Sequence, residues 1–309
     1  MIIKQGMQRR HLIEGIDQET FLNRKNSRKN KLLRELENPP ENLLISAEWL
    51  SSDEFIADEL ADFRDLLSKQ FDSIYVVGYV RPPKSYMESW FQENLKHGNV
   101  KFELDGLYPH YQKRMAKLDE VFGVENVAAW KFDPASFPNQ CVVQDFCRRL
   151  GIDFPVNFIA RKNESLSRQA TGLLYTYRKF SSGLGVGKTV MRQNDLLVDR
   201  LACLRGDKWH LAWQAVAPVL DKNTSDITWI ETRTGESFSE THPDEGGGAI
   251  FSEADFLHYQ PDTLMWLAQQ LGDDFVTRCR VDMQAEEVAT WIGLLHDKLA
   301  EEAGLINQG

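Results

Sequence analysis

Three short apolar runs, each bounded by turn residues, mark the first half of the chain: 42–46 (NLLIS), 72–80 (DSIYVVGYV) and 126–130 (NVAAW). Runs of this length and composition read as buried parallel strands. Between them apolar residues recur at helical spacing over 53–69, 83–97 and 107–122, with Gly123 placed to end the last of these. Strand and helix in alternation predict an α/β sheet with right-handed crossovers, whose ligands sit at the carboxyl ends of the strands. From Cys141 onward the spacing is mostly helical: 141–150, 166–180, 192–205, 208–220, 253–271 and 284–303, with 227–231 as a short further strand. The stretch 24–31 (RKNSRKNK) lies in a polar helical pattern that ends at Pro39-Pro40 and reads as a solvated helix.

Composition narrows the classes. The 309 residues carry 36 basic and 46 acidic side chains, a formal charge of −10, which argues against a general nucleic-acid or anionic-membrane surface. Cys141, Cys147, Cys203 and Cys279 are irregularly spaced and form no CxxC, so neither a disulfide framework nor a zinc site is expected. A reducing, cytoplasmic setting follows as the simpler reading. No apolar run is long enough for a membrane span, and MIIKQGMQRRHLIEG lacks the apolar core of a signal peptide. The segment 241–250 (THPDEGGGAI) reads as a flexible loop.

Residues 182–190 (SGLGVGKTV) raise the question of a phosphate-cradling loop. Gly187-Lys188-Thr189 fits that pattern, but Ser182 stands where its first glycine belongs, and the pattern needs a strand before the loop. What precedes it is the helical stretch 166–180, with Asn163 and Ser165 as candidate caps. A glycine-rich linker between helices is therefore expected, and a magnesium-dependent ATPase or kinase site at Lys188 is not.

The chemistry concentrates in 74–95 (IYVVGYVRPPKSYMESWFQENL). An apolar strand ends at Val80, Arg81 follows at once, and two prolines open the next helix, on whose first turns Ser89 falls. A guanidinium at a strand end and a hydroxyl on the following helix make a receptor for one phosphate. Ser85 is also within reach.

This strand–Arg-x-Pro–helix–Ser pattern resembles the 3′-phosphate segment of sulfotransferases, which use 3′-phosphoadenosine 5′-phosphosulfate (PAPS). Three further stretches are similar to a bacterial sulfotransferase-like family: LLISAEWLS, VFGVENVAAWKFDPASFPNQCVVQDFCRRLGID and RKNESLSRQATGLL, with weaker similarity at FSEADF (251–256). The resemblance covers about 43–174. It implies a P-loop-like three-layer α/β fold with a central parallel sheet, organised as one domain over 1–309. Residues 1–160 would form the nucleotide-binding α/β part and 161–309 a mainly helical acceptor side.

The same resemblance implies transfer of a sulfuryl group from PAPS to a hydroxyl acceptor, a carbohydrate foremost, with no metal, no nucleic acid and no membrane span. Arg81 and Ser89 would hold the 3′-phosphate, and Glu48, after the first strand, would serve as general base. Arg161 and Lys162 are candidates to add charge to the nucleotide site, Trp49, Trp90 and Tyr108 to stack on a sugar or adenine, and His110 to line an acceptor pocket. There is one departure. The family's 5′-phosphosulfate loop, typically Lys-Thr-Gly-Thr-Thr, has only Lys4-Gln5-Gly6-Met7-Gln8 as a counterpart, without either hydroxyl. The expectation is a chain that starts downstream of the loop or a branch that has lost it. A non-catalytic nucleotide- or glycan-binding protein on the same fold is the alternative.

Overall fold

The computed structural model describes residues 15–52, 55–159, 165–240 and 248–306. Helix α1 (Gln18–Glu35) starts at Asp17, whose carboxylate accepts the Thr20 N–H at 2.8 Å, and buries none of its residues. The polar pattern is thus a solvated helix. The run 42–46 is a correction: it forms no strand, and Leu43, Leu44 and Ile45 are exposed. Its apolar composition suits a strand, but parallel pairing depends on a distant edge that composition does not supply.

Helix α2 (Ala57–Leu67) packs against the later helix over 111–122 and leads to strand β1 (Val76–Val80). Only the second half of the expected 72–80 run is strand. Helix α3 (Pro83–Lys96) and helix α4 (Tyr111–Phe122) fill the crossover to strand β2 (Val127–Lys131). The two strands pair in parallel, from Val76 opposite Val127 to Val80 opposite Lys131. Helix α4 buries Tyr111, Met115, Leu118 and Val121, one face at helical spacing, and Gly123 ends it at φ 86°. The protein is mixed α/β and mostly helical, with a small two-stranded parallel sheet.

Across the sheet, Tyr79 donates to Asp145 at 2.6 Å from the strand to helix α5 (Val142–Leu150). Arg148 and Arg149 hold the same carboxylate at 2.5 and 2.6 Å. Burial pushes the Asp145 carboxyl up, but these three donors outweigh it and hold it below the ordinary aspartate value of 3.8. A depressed native value gives stability that is complete above about pH 4 and lost as pH falls through it. Asp145→Asn is expected to lower stability at neutral pH and to flatten its acid dependence, read from unfolding midpoints taken from neutral pH into acid.

The remaining chain is helical. Helix α6 (Arg168–Phe180) is capped by Ser167, whose Oγ accepts the Ala170 N–H at 3.1 Å, rather than by Asn163, which lies outside the described residues, or Ser165. It is buried around most of its circumference, and Gly172 lets the Phe256 carbonyl approach where a Cβ would stand 2.8 Å away. Helix α7 (Lys188–Ala202) follows a loop over 181–187, as a linker requires. Strand β3 (His210–Leu211) takes the start of the expected 208–220 helix, leaving helix α8 (Trp213–Lys222).

The run 227–231 is not a strand but the middle of helix α9 (Thr224–Thr234), because Ile227 and Ile230 share one inward face three residues apart. Strand β4 (Ala249–Ile250) pairs with β3, so the end of the expected flexible loop is ordered. Pro261 breaks the expected 253–271 helix into a 3-10 turn (Glu253–Leu257) and helix α10 (Pro261–Leu271). Helix α11 (Asp273–Arg278) and helix α12 (Ala285–Glu302) complete the order, with α12 lying along α6.

Two devices join the halves. Phe91 of α3, Tyr175 of α6 and Phe256 stack on one another with centroids 4.9 to 6.3 Å apart, and Phe102 and Trp209 meet them edge-on. On α9, Asp226 accepts the Tyr111 and Gln112 N–H groups at 2.8 Å each and so caps α4 from more than a hundred residues away. In the last turn of α9, Arg233 clasps Asp119 and the Val127 carbonyl.

Candidate functional site at the end of strand β1

Strand β1 delivers Arg81 to its carboxyl end. The Phe132 N–H donates to the Val80 carbonyl at 2.8 Å, carrying the pairing one residue past β2 and placing the Phe132 ring under the guanidinium, 4.0 Å from its carbon. The Tyr111 hydroxyl fixes the Arg81 carbonyl at 2.6 Å. Burial lowers the Arg81 pKa, and no other influence opposes it. An arginine stays charged under such conditions, so this is a partly desolvated cation without a carboxylate partner among the described residues.

A second cation stands close by, and the sequence reading missed it. Arg114 lies one turn beyond Tyr111 on α4, on the same face, with its guanidinium 5.2 Å from the Tyr86 ring of α3. Its Nε is buried and has no hydrogen-bond partner among the described residues. Nothing local distinguishes Arg114 from a surface arginine; only the packing of α4 against the first turns of α3 brings it here.

Helix α3 begins with buried Pro82 and Pro83, and Pro83 has no N–H to offer. The first free N–H groups, of Lys84 and Ser85, donate to the two oxygens of Glu240 at 2.7 and 2.9 Å. Burial, with Glu88 beside it, pushes the Glu240 carboxyl up, against the pull of those two N–H groups and of Lys84. Lys84, itself buried, pairs with Glu88 at 2.5 Å, and Glu88 accepts the Leu211 N–H at 2.9 Å. Glu240 is 156 residues from Lys84, a partnership no sequence pattern announces.

The expected ligands divide. Ser85 Oγ is engaged with the Pro82 carbonyl at 3.1 Å, whereas Ser89, half-buried and one turn further on, makes no side-chain hydrogen bond among the described residues. Glu48 opens a 3-10 turn (Glu48–Ser51) after the exposed 42–46 segment; its side chain, like that of Trp49, lies outside the described residues. So do Lys4–Gln8, Arg161 and Lys162.

Of the lesser candidates, Tyr108 is buried and donates to Asp226 at 3.0 Å, which makes it a core residue. Trp90 stacks on Tyr86 and packs against the core. His97 caps the end of α3 through Glu93, and His110 is exposed at the start of α4. Lys188 is exposed on a helix–loop–helix connection, away from any strand end. Among the described residues no His, Cys, Asp and Glu group could hold a metal ion, and no helix is long and apolar enough to cross a membrane. In comparisons with known proteins, no family model, no curated protein and no solved structure matches this chain.

Proposed function

We propose that the protein is a PAPS-dependent sulfotransferase acting on a hydroxyl acceptor, with a carbohydrate as the acceptor class. The observation that supports this best is the strand-end arginine: Arg81 is desolvated, held against Phe132, and lacks an acidic partner among the described residues. A partly desolvated guanidinium without an anion is costly, and a bound phosphate would relieve it. Arg81 and the free Ser89 hydroxyl would hold the 3′-phosphate of the nucleotide, and the orphan Nε of Arg114 would add a second donor. When bound, PAPS supplies a sulfuryl group already activated for transfer. Glu48 takes the proton that the acceptor hydroxyl gives up as its oxygen bonds to sulfur and the sulfur–oxygen bond to the nucleotide phosphate breaks. Such transfer depends on positioning and charge more than on covalent help.

The reading includes a P-loop-like three-layer fold around the parallel pair β1 and β2, and a cytoplasmic setting that keeps the four cysteines free. One observation favours the alternative, a non-catalytic nucleotide- or glycan-binding protein: Glu240 already fills the first amides of α3.

Calorimetric titration with adenosine 3′,5′-bisphosphate tests the site. Binding near micromolar, about −8 kcal/mol, is expected for the unmodified protein. Arg81→Ala should weaken it by roughly ten- to hundredfold, the worth of a charged hydrogen bond. Ser89→Ala should weaken it less, and Lys188→Ala should leave it unchanged. No binding by the unmodified protein refutes the sulfotransferase reading and the nucleotide-binding form of the alternative, and leaves the glycan-binding form. Binding without sulfate transfer, and without any effect of Glu48→Gln, leaves the non-catalytic one.

A further inference from the structure

We propose, resting on the nucleotide-site reading, that Asp226 and Tyr111 are positioning residues for the strand-end site: through them the first turn of α9 sets where Arg81 and Arg114 stand.

Arg81 follows a strand and precedes two prolines, neither of which has an N–H to offer the turn. The next two N–H groups, of Lys84 and Ser85, are already given to Glu240. The Arg81 carbonyl therefore lacks a donor from the residues that follow it, and its partner is the Tyr111 hydroxyl at 2.6 Å. Tyr111 is buried, and that burial, with Tyr108, Glu240, Asp226 and Tyr86 adding to it, pushes its pKa up. The hydroxyl thus stays a donor at any ordinary pH. A bond to the carbonyl fixes the peptide from which the guanidinium extends, and the Phe132 ring fixes the guanidinium itself.

Tyr111 is in turn placed from a distance. It is the first residue of α4, and His110 before it stands at φ 49° and supplies no side-chain cap. The cap comes from Asp226. One of its oxygens accepts the Tyr111 N–H at 2.8 Å and the Tyr108 hydroxyl at 3.0 Å, and the other accepts the Gln112 N–H at 2.8 Å. Arg114 lies one turn along the same helix, its own N–H on the His110 carbonyl at 3.2 Å. A shift in the first turn of α4 would carry with it both the hydroxyl that holds Arg81 and the guanidinium of Arg114.

This clasp is separable from the packing of the two helices. Arg233 ties the far end of α9 to Asp119 of α4, and Phe238 meets the Tyr111 ring with centroids 5.7 Å apart, so α4 and α9 should stay together when Asp226 is altered. The sign of the effect separates positioning from simple electrostatics. A carboxylate near an anion site repels the ligand, so neutralising it would tighten binding if charge were its whole effect. A carboxylate that positions the cations gives the opposite sign.

Calorimetric titration with adenosine 3′,5′-bisphosphate, run well below the thermal midpoint of each variant and with near-ultraviolet circular dichroism to verify the packed aromatics, tests the proposal. Tyr111→Phe, which keeps the ring, should weaken binding about tenfold, roughly the worth of one hydrogen bond whose loss leaves a carbonyl unpaired. Asp226→Asn, of the same size but with one acceptor oxygen in place of two, should also weaken it by about tenfold. In an Arg81→Ala background, Tyr111→Phe should cost less than about a further twofold, because the hydroxyl acts through that arginine. The same tenfold loss in both backgrounds, unchanged affinity in Tyr111→Phe, or tighter binding by Asp226→Asn overturns the proposal and leaves Arg81 as a ligand. Nucleotide binding that is absent, or indifferent to Arg81→Ala, overturns the nucleotide-site reading and the positioning roles together.

Discussion

Phe256→Ala is expected to remove about 3–5 kcal/mol of unfolding free energy, the largest loss among single truncations in this protein. The ring is 1% exposed and stacks on both Phe91 at 5.2 Å and Tyr175 at 4.9 Å, with Phe102 and Trp209 meeting it edge-on. Those partners come from α3, the segment after it, α6 and the connection between α7 and β3, so the cavity left behind cannot be closed by moving one element. Its walls are aromatic and stiff, with few rotamers that would refill the space. Phe154→Ala is the control: that ring is 42% exposed, and a change within about 0.5 kcal/mol is expected. Denaturant unfolding of both variants measures the difference. A loss below about 1 kcal/mol for Phe256→Ala would refute the stacked cluster as the joint between the halves.

The second large effect belongs to Arg233. Its guanidinium donates to both oxygens of Asp119 at 2.9 and 2.7 Å and to the Val127 carbonyl at 2.7 Å, with both side chains under one-fifth exposed. Arg233→Ala strips the carboxylate and the first carbonyl of β2 of their donor together, and about 2–4 kcal/mol of destabilisation is expected. Replacing both partners by apolar residues, Arg233→Met with Asp119→Leu, should recover most of that loss, since no charge is then left unpaired. Equal losses in the single and double variants would mean that Arg233 acts through packing rather than through its charge.

Local pattern carried most of the helices and both strands of the main sheet into view. The apolar run at 72–80 contains β1, that at 126–130 covers all but the last residue of β2, and the glycine-rich 182–187 stretch is the helix linker its preceding periodicity implied. Nonlocal choices were not visible. The run 42–46 has strand composition but no partner edge, and 227–231 has β-branched residues but lies in a helix that buries Ile230. Arg81 was legible because a strand, an arginine and a proline adjoin in sequence. Arg114 was not, since only the fold brings it over the Tyr86 ring of the preceding helix, nor was Glu240, which reaches α3 from a loop 156 residues beyond Lys84.

The distant capping of α3 bears on how the protein is made. Lys84 and Ser85 have their backbone partners only once Glu240 has been synthesised, 156 residues after Lys84. At translation rates of 5–20 residues per second, those amides wait roughly 8–30 s behind the ribosome before their carboxylate emerges. Through that interval the nascent α/β segment holds an uncapped helix, with Phe91 still short of Phe256 and, for more than the first half, of Tyr175. A ribosome-bound chain stalled before Glu240 should therefore be a better client for chaperones, and a better target for proteases, than one stalled some fifty residues past it.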